Sequence, residues 1–201
     1  MLRHPLLVLA FALLALSGCA STQIVNQWES STPGPPFKKV LVVGVTQNAS
    51  VRRTFEDEFV KALLSRGVIA VPSYTLIPED GPVPEGRLAA VVRQVGADGV
   101  ITSRVIQVNQ QVSVVPTGPA YWGPPWGFYG WYGGAWGPVY AYPPQVVTQD
   151  VVYAEVRLYR AAADTLVWAA TTSTFAPSNP RSESAAFANV ILTQLAQRGL
   201  I

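Results

Sequence analysis

The apolar positions in the first half of the chain alternate between strand-like and helix-like patterns. Residues 38–45 form a short run rich in β-branched side chains, and residues 48–67 place apolar side chains on one face of a helix. A second short strand over residues 68–72 and a second helix over residues 84–96 repeat this order. Short apolar strands joined by helices are typical of parallel pairing through right-handed crossovers.

Beyond residue 98 the pattern changes to an alternation of apolar and polar positions. It predicts two long strands over residues 99–115 and 146–160 and a third strand over residues 166–175. A last helix begins at Asn179-Pro180, a capping residue followed by proline, and ends at Gly199. Alternation of this kind is typical of antiparallel strands with one wetter face.

The order of these elements predicts the fold class, an α/β (α+β) domain over residues 38–201. The sequence β-α-β-α-β-β-β-α gives a mixed five-stranded sheet with three helices, in which the two long strands form an extended β-hairpin. In the first strand of this hairpin Ile106, Val108 and Val112 share one face. We expect that face to be the less wet of the two.

The hairpin is expected to carry an aromatic, Gly/Pro-rich insert over residues 116–145. No residue between Arg104 and Asp150 is charged, and this stretch contains four of the six tryptophans and five of the eight tyrosines. Its glycines and prolines exclude a regular helix or a central strand. The candidate partner-binding residues are its rings: Trp122, Trp126, Phe128, Tyr129, Trp131, Tyr132 and Trp136.

The sequence leaves three interpretations of the insert open. It is a disordered loop without a specific role, a contact surface for a protein or a glycan, or a tip that enters a lipid headgroup layer, where tryptophan and tyrosine are favoured. Because a lipid anchor would already attach the chain to a membrane, the third interpretation is the least needed of the three.

The first eighteen residues are typical of a secretory signal peptide. Arg3 gives a basic start, and the apolar run Leu6–Leu16 is only about half the length that a helix needs to cross a bilayer. The following Leu16-Ser17-Gly18-Cys19 resembles the bacterial lipobox. That resemblance implies cleavage before Cys19, a diacylglycerol on its sulfur and a third acyl chain, such as palmitate, on its amine.

The expected location follows from the same resemblance. Ala20 and Ser21 follow Cys19, and in proteobacterial lipoproteins the absence of aspartate at this point implies the outer membrane, on its periplasmic face. Residues 19–37 are polar and rich in proline, which predicts a lipidated flexible tether that Trp28 interrupts.

Composition excludes several classes of function. Loss of Arg3 leaves 13 of the 14 basic residues against 12 acidic ones, which gives no electrostatic basis for nucleic-acid binding. The single histidine, His4, leaves with the signal peptide, and the single cysteine is the lipidated one. Ser-His and Cys-His catalysis and the usual zinc sites are therefore excluded. We expect a non-enzymatic protein without a metal or a cofactor, and we expect Glu56-Asp57-Glu58 to be a solvated helix face.

A family resemblance carries the remaining expectations. Val40 to Val45 followed by a capped helix ending at Arg66-Gly67-Val68 is similar to the opening of the TolB amino-terminal domain, of CsgG and of the lipoprotein activators of penicillin-binding proteins. The closing phrase from Leu158 to Trp168 resembles the uncharacterised DUF4136 group of bacterial lipoproteins.

We expect the chain to be an interaction or scaffold module of the cell envelope, with an envelope protein or peptidoglycan as the candidate partner. The alternative is a peptidoglycan- or glycan-binding module that uses the aromatic insert.

Overall fold

The computed structural model describes residues 22–79, 81–115, 145–175, 177 and 179–201, with the backbone alone at residues 113–115 and 145–147. The strands in these ranges are β1 Thr22–Glu29, β2 Lys39–Gly44, β3 Ile69–Pro72, β4 Gly99–Val115, β5 Gln145–Arg160 and β6 Thr165–Phe175. The helices are α1 Ala49–Leu64, α2 Glu85–Val95 and α3 Pro180–Gln197, with a short 3-10 turn at Ser73–Thr75.

The described strands form one sheet in the order β1-β6-β5-β4-β2-β3. Strand β2 pairs in parallel with β3 and β4, and the pairs β4–β5, β5–β6 and β6–β1 are antiparallel. The predicted mixed α/β architecture is confirmed. The observed sheet has one more strand than the five expected, because β1 joins its edge.

The helices begin and end at the residues that local chemistry favours. The side chain of Asn48 accepts a hydrogen bond from the Val51 amide at 3.0 Å, and the side chain of Asn179 accepts from the amides of Arg181 and Ser182. Both satisfy amides that a first helical turn leaves unpaired. Helix α2 ends at Gly96, whose φ of 63° lies in the left-handed region that glycine adopts without strain.

Two apolar layers cover the sheet. Helices α1 and α3 pack on one face, where Phe59, Trp168 and Ile191 are fully buried. Helix α2 covers part of the opposite face through Val91, which packs with Leu41 and Ile77. On the face covered by α1 and α3, strand β5 contributes the buried side chains of Val156 and Leu158.

Part of the predicted tether belongs to the folded domain. Residues 22–29 are strand β1, and the Thr22 and Thr174 hydroxyls lie 2.9 Å apart. The following segment is docked as well, because Phe37 is 2% exposed with the Arg160 guanidinium 3.9 Å from its ring centroid. An edge strand with one neighbour and mostly exposed polar side chains carries little sequence signal, which is why it was missed.

Candidate functional site

The long hairpin projects beyond the rest of the sheet. Strand β4 pairs with β2 only as far as Ser103, and β5 pairs with β6 only from Val151 onward. Beyond these limits residues 110–115 and 145–150 pair only with each other among the described residues. We call these two segments the ribbon, and the end of the domain from which they project the ribbon end.

Both faces of the hairpin are exposed near the ribbon. A register shift between Val105 and Gln107 rotates the strand, and Ile106, Val108 and Val112 are all exposed, Val112 at 65%. The expectation that these three residues mark a drier face is therefore wrong here. Only Val112 lies in the ribbon. Ile106 and Val108 lie where β5 is still paired with β6, and no other layer of the described structure covers these side chains.

An apolar groove of about 340 Å³ lies at the ribbon end, beside the base of the hairpin. Its lining comes from the end of β2 at Gly44, from the first turns of α1 and α3, and from strands β4, β5 and β6. Much of its lining is apolar, including Val45, Val51, Phe55, Val105, Val152, Ala154, Pro177 and Phe187. The polar lining includes Thr46, Ser103, Arg104, Thr174, Glu183 and Ser184.

A charged cluster marks the inner limit of the uncharged stretch. Arg104 donates from Nε to Glu155 at 3.0 Å, and Arg157 donates to the other oxygen of the same carboxylate at 2.6 and 2.8 Å. The bonds from Arg157, and then those from Arg104, hold the pKa of Glu155 below its ordinary value. Arg104 is thus held at the groove by a carboxylate that stays ionised at neutral pH.

A second polar cluster lies buried behind the groove and corrects the sequence analysis. Glu56 was expected on a solvated face, but it is 0% exposed. Its Oε1 accepts from the Gly44 amide, Arg52 Nε and Ser73 Oγ at 2.9, 3.1 and 2.8 Å, and its Oε2 accepts from the Tyr74 amide at 2.9 Å. The cluster ties the end of β2 to α1 and to the turn after β3.

A signal for this cluster was present in the sequence. Arg52 and Glu56 continue the stripe of Phe59 and Leu63 at the spacing that places residues on one helix face. Charged residues at inward positions predict a buried pair, since a buried charge is stable only with a partner. Asp57 does face solvent, where it accepts a hydrogen bond of 2.8 Å from the Tyr74 hydroxyl.

The candidate residues named from sequence lie outside the described part of the chain. This holds for the lipidation site Cys19 and for all seven rings of the insert: Trp122, Trp126, Phe128, Tyr129, Trp131, Tyr132 and Trp136. In the described ranges, no three or more His, Cys, Asp or Glu side chains are grouped so that they could hold a metal ion. No described helix has the length and apolar character required to span a membrane.

The exposed apolar side chains concentrate at the ribbon end. Of the eleven large apolar residues exposed in the described structure, eight lie there: Val25, Val45, Val51, Val105, Ile106, Val108, Val112 and Phe175. The opposite end of the domain is charged, with Glu29, Arg66, Asp98, Arg160 and Arg198. Charged side chains also occur at the ribbon end, among them Arg104, Asp150 and Glu183, so the two ends differ in their share of exposed apolar side chains. For this difference we call the ribbon end the apolar end and the opposite end the charged end.

Comparison with solved structures finds similar but distant folds. The PelC dodecamer of Paraburkholderia phytofirmans aligns with a TM-score of 0.48 and 13% identity over 87% of this chain and 97% of that chain. Lipoprotein GNA1162 of Neisseria meningitidis aligns with a TM-score of 0.42 and 13% identity over 79% and 98%. Both similarities are too weak to assign a function.

No family model matches the chain, and no curated protein matches it. The expected membership of the DUF4136 group stays a prediction.

Proposed function

We propose that the chain is a lipid-anchored protein of the cell envelope that works as a non-enzymatic interaction module. In this proposal Cys19 carries the lipid, the membrane is the outer membrane, and the domain faces the periplasm. The ribbon end is the contact surface. The observation that carries the proposal is the concentration of exposed apolar side chains at that end.

The groove gives this contact surface a shape. An exposed apolar patch of this kind is costly for a monomer and usually marks a site of association. The groove is concave, and Val45 on its rim is 55% exposed. It therefore suits one or two apolar side chains of a partner protein, with Arg104 available for a polar contact at the edge.

The aromatic insert is adjacent to the same surface in the sequence. Its rings join β4 to β5, whose paired ends belong to the ribbon. Tryptophan and tyrosine bury much area at low entropic cost, so they would add affinity to a contact made at the groove.

Site-specific crosslinking in intact cells tests the proposal. A photoreactive amino acid at Val45 samples the groove, and the same residue at Gln94, exposed on α2, is the matched control on the other side of the sheet. We expect a discrete protein adduct from position 45 and none from position 94. Equal adducts from both positions, or none from position 45, would contradict a partner-binding groove, and an adduct removed by a muramidase would favour the glycan alternative.

A further inference from the structure

The path of β1 fixes where the anchor meets the domain. The register places Thr22 opposite Thr174, Thr174 opposite Val152, and Val152 opposite Val108. The chain therefore enters the sheet at the ribbon end, at the level where the ribbon starts to project. Cys19 lies three residues before Thr22, which limits its distance from this level to about 11 Å.

Beyond this level strand β4 extends in the same direction, over a distance comparable with the link to Cys19. From the level of Val108 to Val115 the strand is about 23 Å long at a rise of about 3.3 Å per residue. Three strand steps separate β1 from β4, and a twist of about 20–25° per step reduces the rise along β1 to about 6–12 Å. The outer end of the ribbon thus reaches about as far as a fully extended link to Cys19.

The charge pattern agrees with this placement. Outward of the pair Gln110–Asp150 neither ribbon strand has a charged residue, and the segment that joins them has none either. The charged end of the domain points the other way. Among the described residues the outer backbone edges of the ribbon have no pairing partner, so the ribbon is excluded from the hydrocarbon core. These edges can be hydrated among headgroups, a layer only about 5–8 Å thick on each side of the bilayer.

We propose that the ribbon lies in the headgroup layer of the membrane that holds Cys19, as a second, lipid-contacting site of the domain. The inference rests on the lipid anchor of the proposed function. It adds an orientation to that function: the ribbon end faces the bilayer, the charged end faces water, and the groove opens beside the membrane surface.

Fluorescence quenching by lipids tests this orientation on the mature, lipidated protein. Cys19 is the only cysteine, and its sulfur is bonded to lipid, so Val112→Cys gives one free thiol for an environment-sensitive dye. Thr148→Cys labels the position opposite on the partner strand, and Ala162→Cys, in the turn at the charged end, is the control. The vesicles contain phosphatidylethanolamine, phosphatidylglycerol and a lipid with a nitroxide on its headgroup.

The nitroxide lies in the headgroup layer, which is only about 5–8 Å thick, and it quenches only a dye that is close to it. We therefore expect emission to fall by about twofold or more at positions 112 and 148 and to stay unchanged at position 162. Flotation of the protein with the vesicles reports the anchor separately. Protein that floats without quenching at 112 and 148 overturns the inference and leaves the anchor intact. Self-quenching that rises with protein density, without lipid quenching, also overturns it, since a second copy would then cover the ribbon. Protein that does not float refutes the anchor and the inference together.

Discussion

A buried carboxylate holds together the part of the fold that forms the groove. Glu56 accepts four hydrogen bonds, from β2, from its own helix and from the turn after β3, and Arg52 reaches on to the backbone oxygen of Glu79 at 2.7 Å. A buried ion pair of this kind is only a weak source of net stability, but breaking one half of it is costly. The cluster, which we call the clamp, therefore fixes the position of Gly44, which lines the groove.

Glu56→Ala should lower the free energy of unfolding by about 3–5 kcal/mol, because it removes the carboxylate that pairs with the buried Arg52 guanidinium. Asp57→Ala is the matched control: the same charge is lost one residue away, at an exposed position, and the cost should stay under about 1 kcal/mol. Chemical denaturation of both variants measures the difference. Equal midpoints for the two variants would show that the clamp contributes nothing.

The exposed Asp57 also affects the ionisation of Tyr74. The hydrogen bond from the Tyr74 hydroxyl to Asp57 raises the pKa of Tyr74 above its ordinary value, and the negative charge of Asp57 acts in the same direction. A raised pKa means that the folded state favours the protonated hydroxyl, so this contribution to stability is present below about pH 10 and is lost as the pH rises through the folded pKa. We expect Asp57→Ala to lower the pKa of Tyr74, as followed by NMR of labelled tyrosine. An unchanged pKa would contradict the hydrogen bond.

At the scale of elements, the ribbon and the core are separable. The ribbon pairs only with itself among the described residues, and the core lies under α1 and α3, around Phe59 and Ile191. Lengthening a loop costs only about 0.6 kcal/mol per doubling, so shortening one should also change little. Replacing residues 116–144 with a four-residue Gly-Ser connector should leave the melting temperature nearly unchanged and weaken the crosslink from position 45. Unfolding of this variant would show instead that the insert is part of the core.

Local pattern predicted the elements that pack on two sides or have strong caps. The apolar run of β2, the alternation along β5 and the start of α3 at Asn179-Pro180 were all evident, because each is set by residues close together in sequence. The elements that were missed depend on distant residues. Strand β1 forms because β6 offers an edge with which it can pair, and the groove forms because β2 ends at the level where α1 and α3 begin.

The exposure of the hairpin faces likewise depends on residues distant in sequence. Alternation over residues 106–114 indicates a strand but cannot show whether any layer covers its apolar side. The expectation for Glu56 was wrong because three consecutive acidic residues were expected to form one solvated face. The helical spacing from Phe59 distinguishes the buried Glu56 from the exposed Asp57. In both cases burial, rather than secondary structure, was the quantity that the sequence left open.

At the scale of the whole molecule, the fold arranges its surface as two ends. The chain enters at the apolar end, through β1, and both α1 and α3 begin there, while the charged end carries the Glu29–Arg198 ion pair at 3.1 Å. A lipid on Cys19 would place the apolar end against the membrane and the charged end in water. Anchor, ribbon and groove then belong to one surface, and any partner held in the groove is held at the bilayer.

The lipid on Cys19 is the premise on which this arrangement depends. Intact-mass spectrometry of the protein extracted from membranes tests it most directly. We expect a chain that begins at Cys19 and carries the mass of a diacylglycerol and one further acyl chain, and we expect Cys19→Ser to yield only the uncleaved, unmodified precursor. A mature chain that begins at another residue, or that keeps a free thiol at Cys19, would contradict the account.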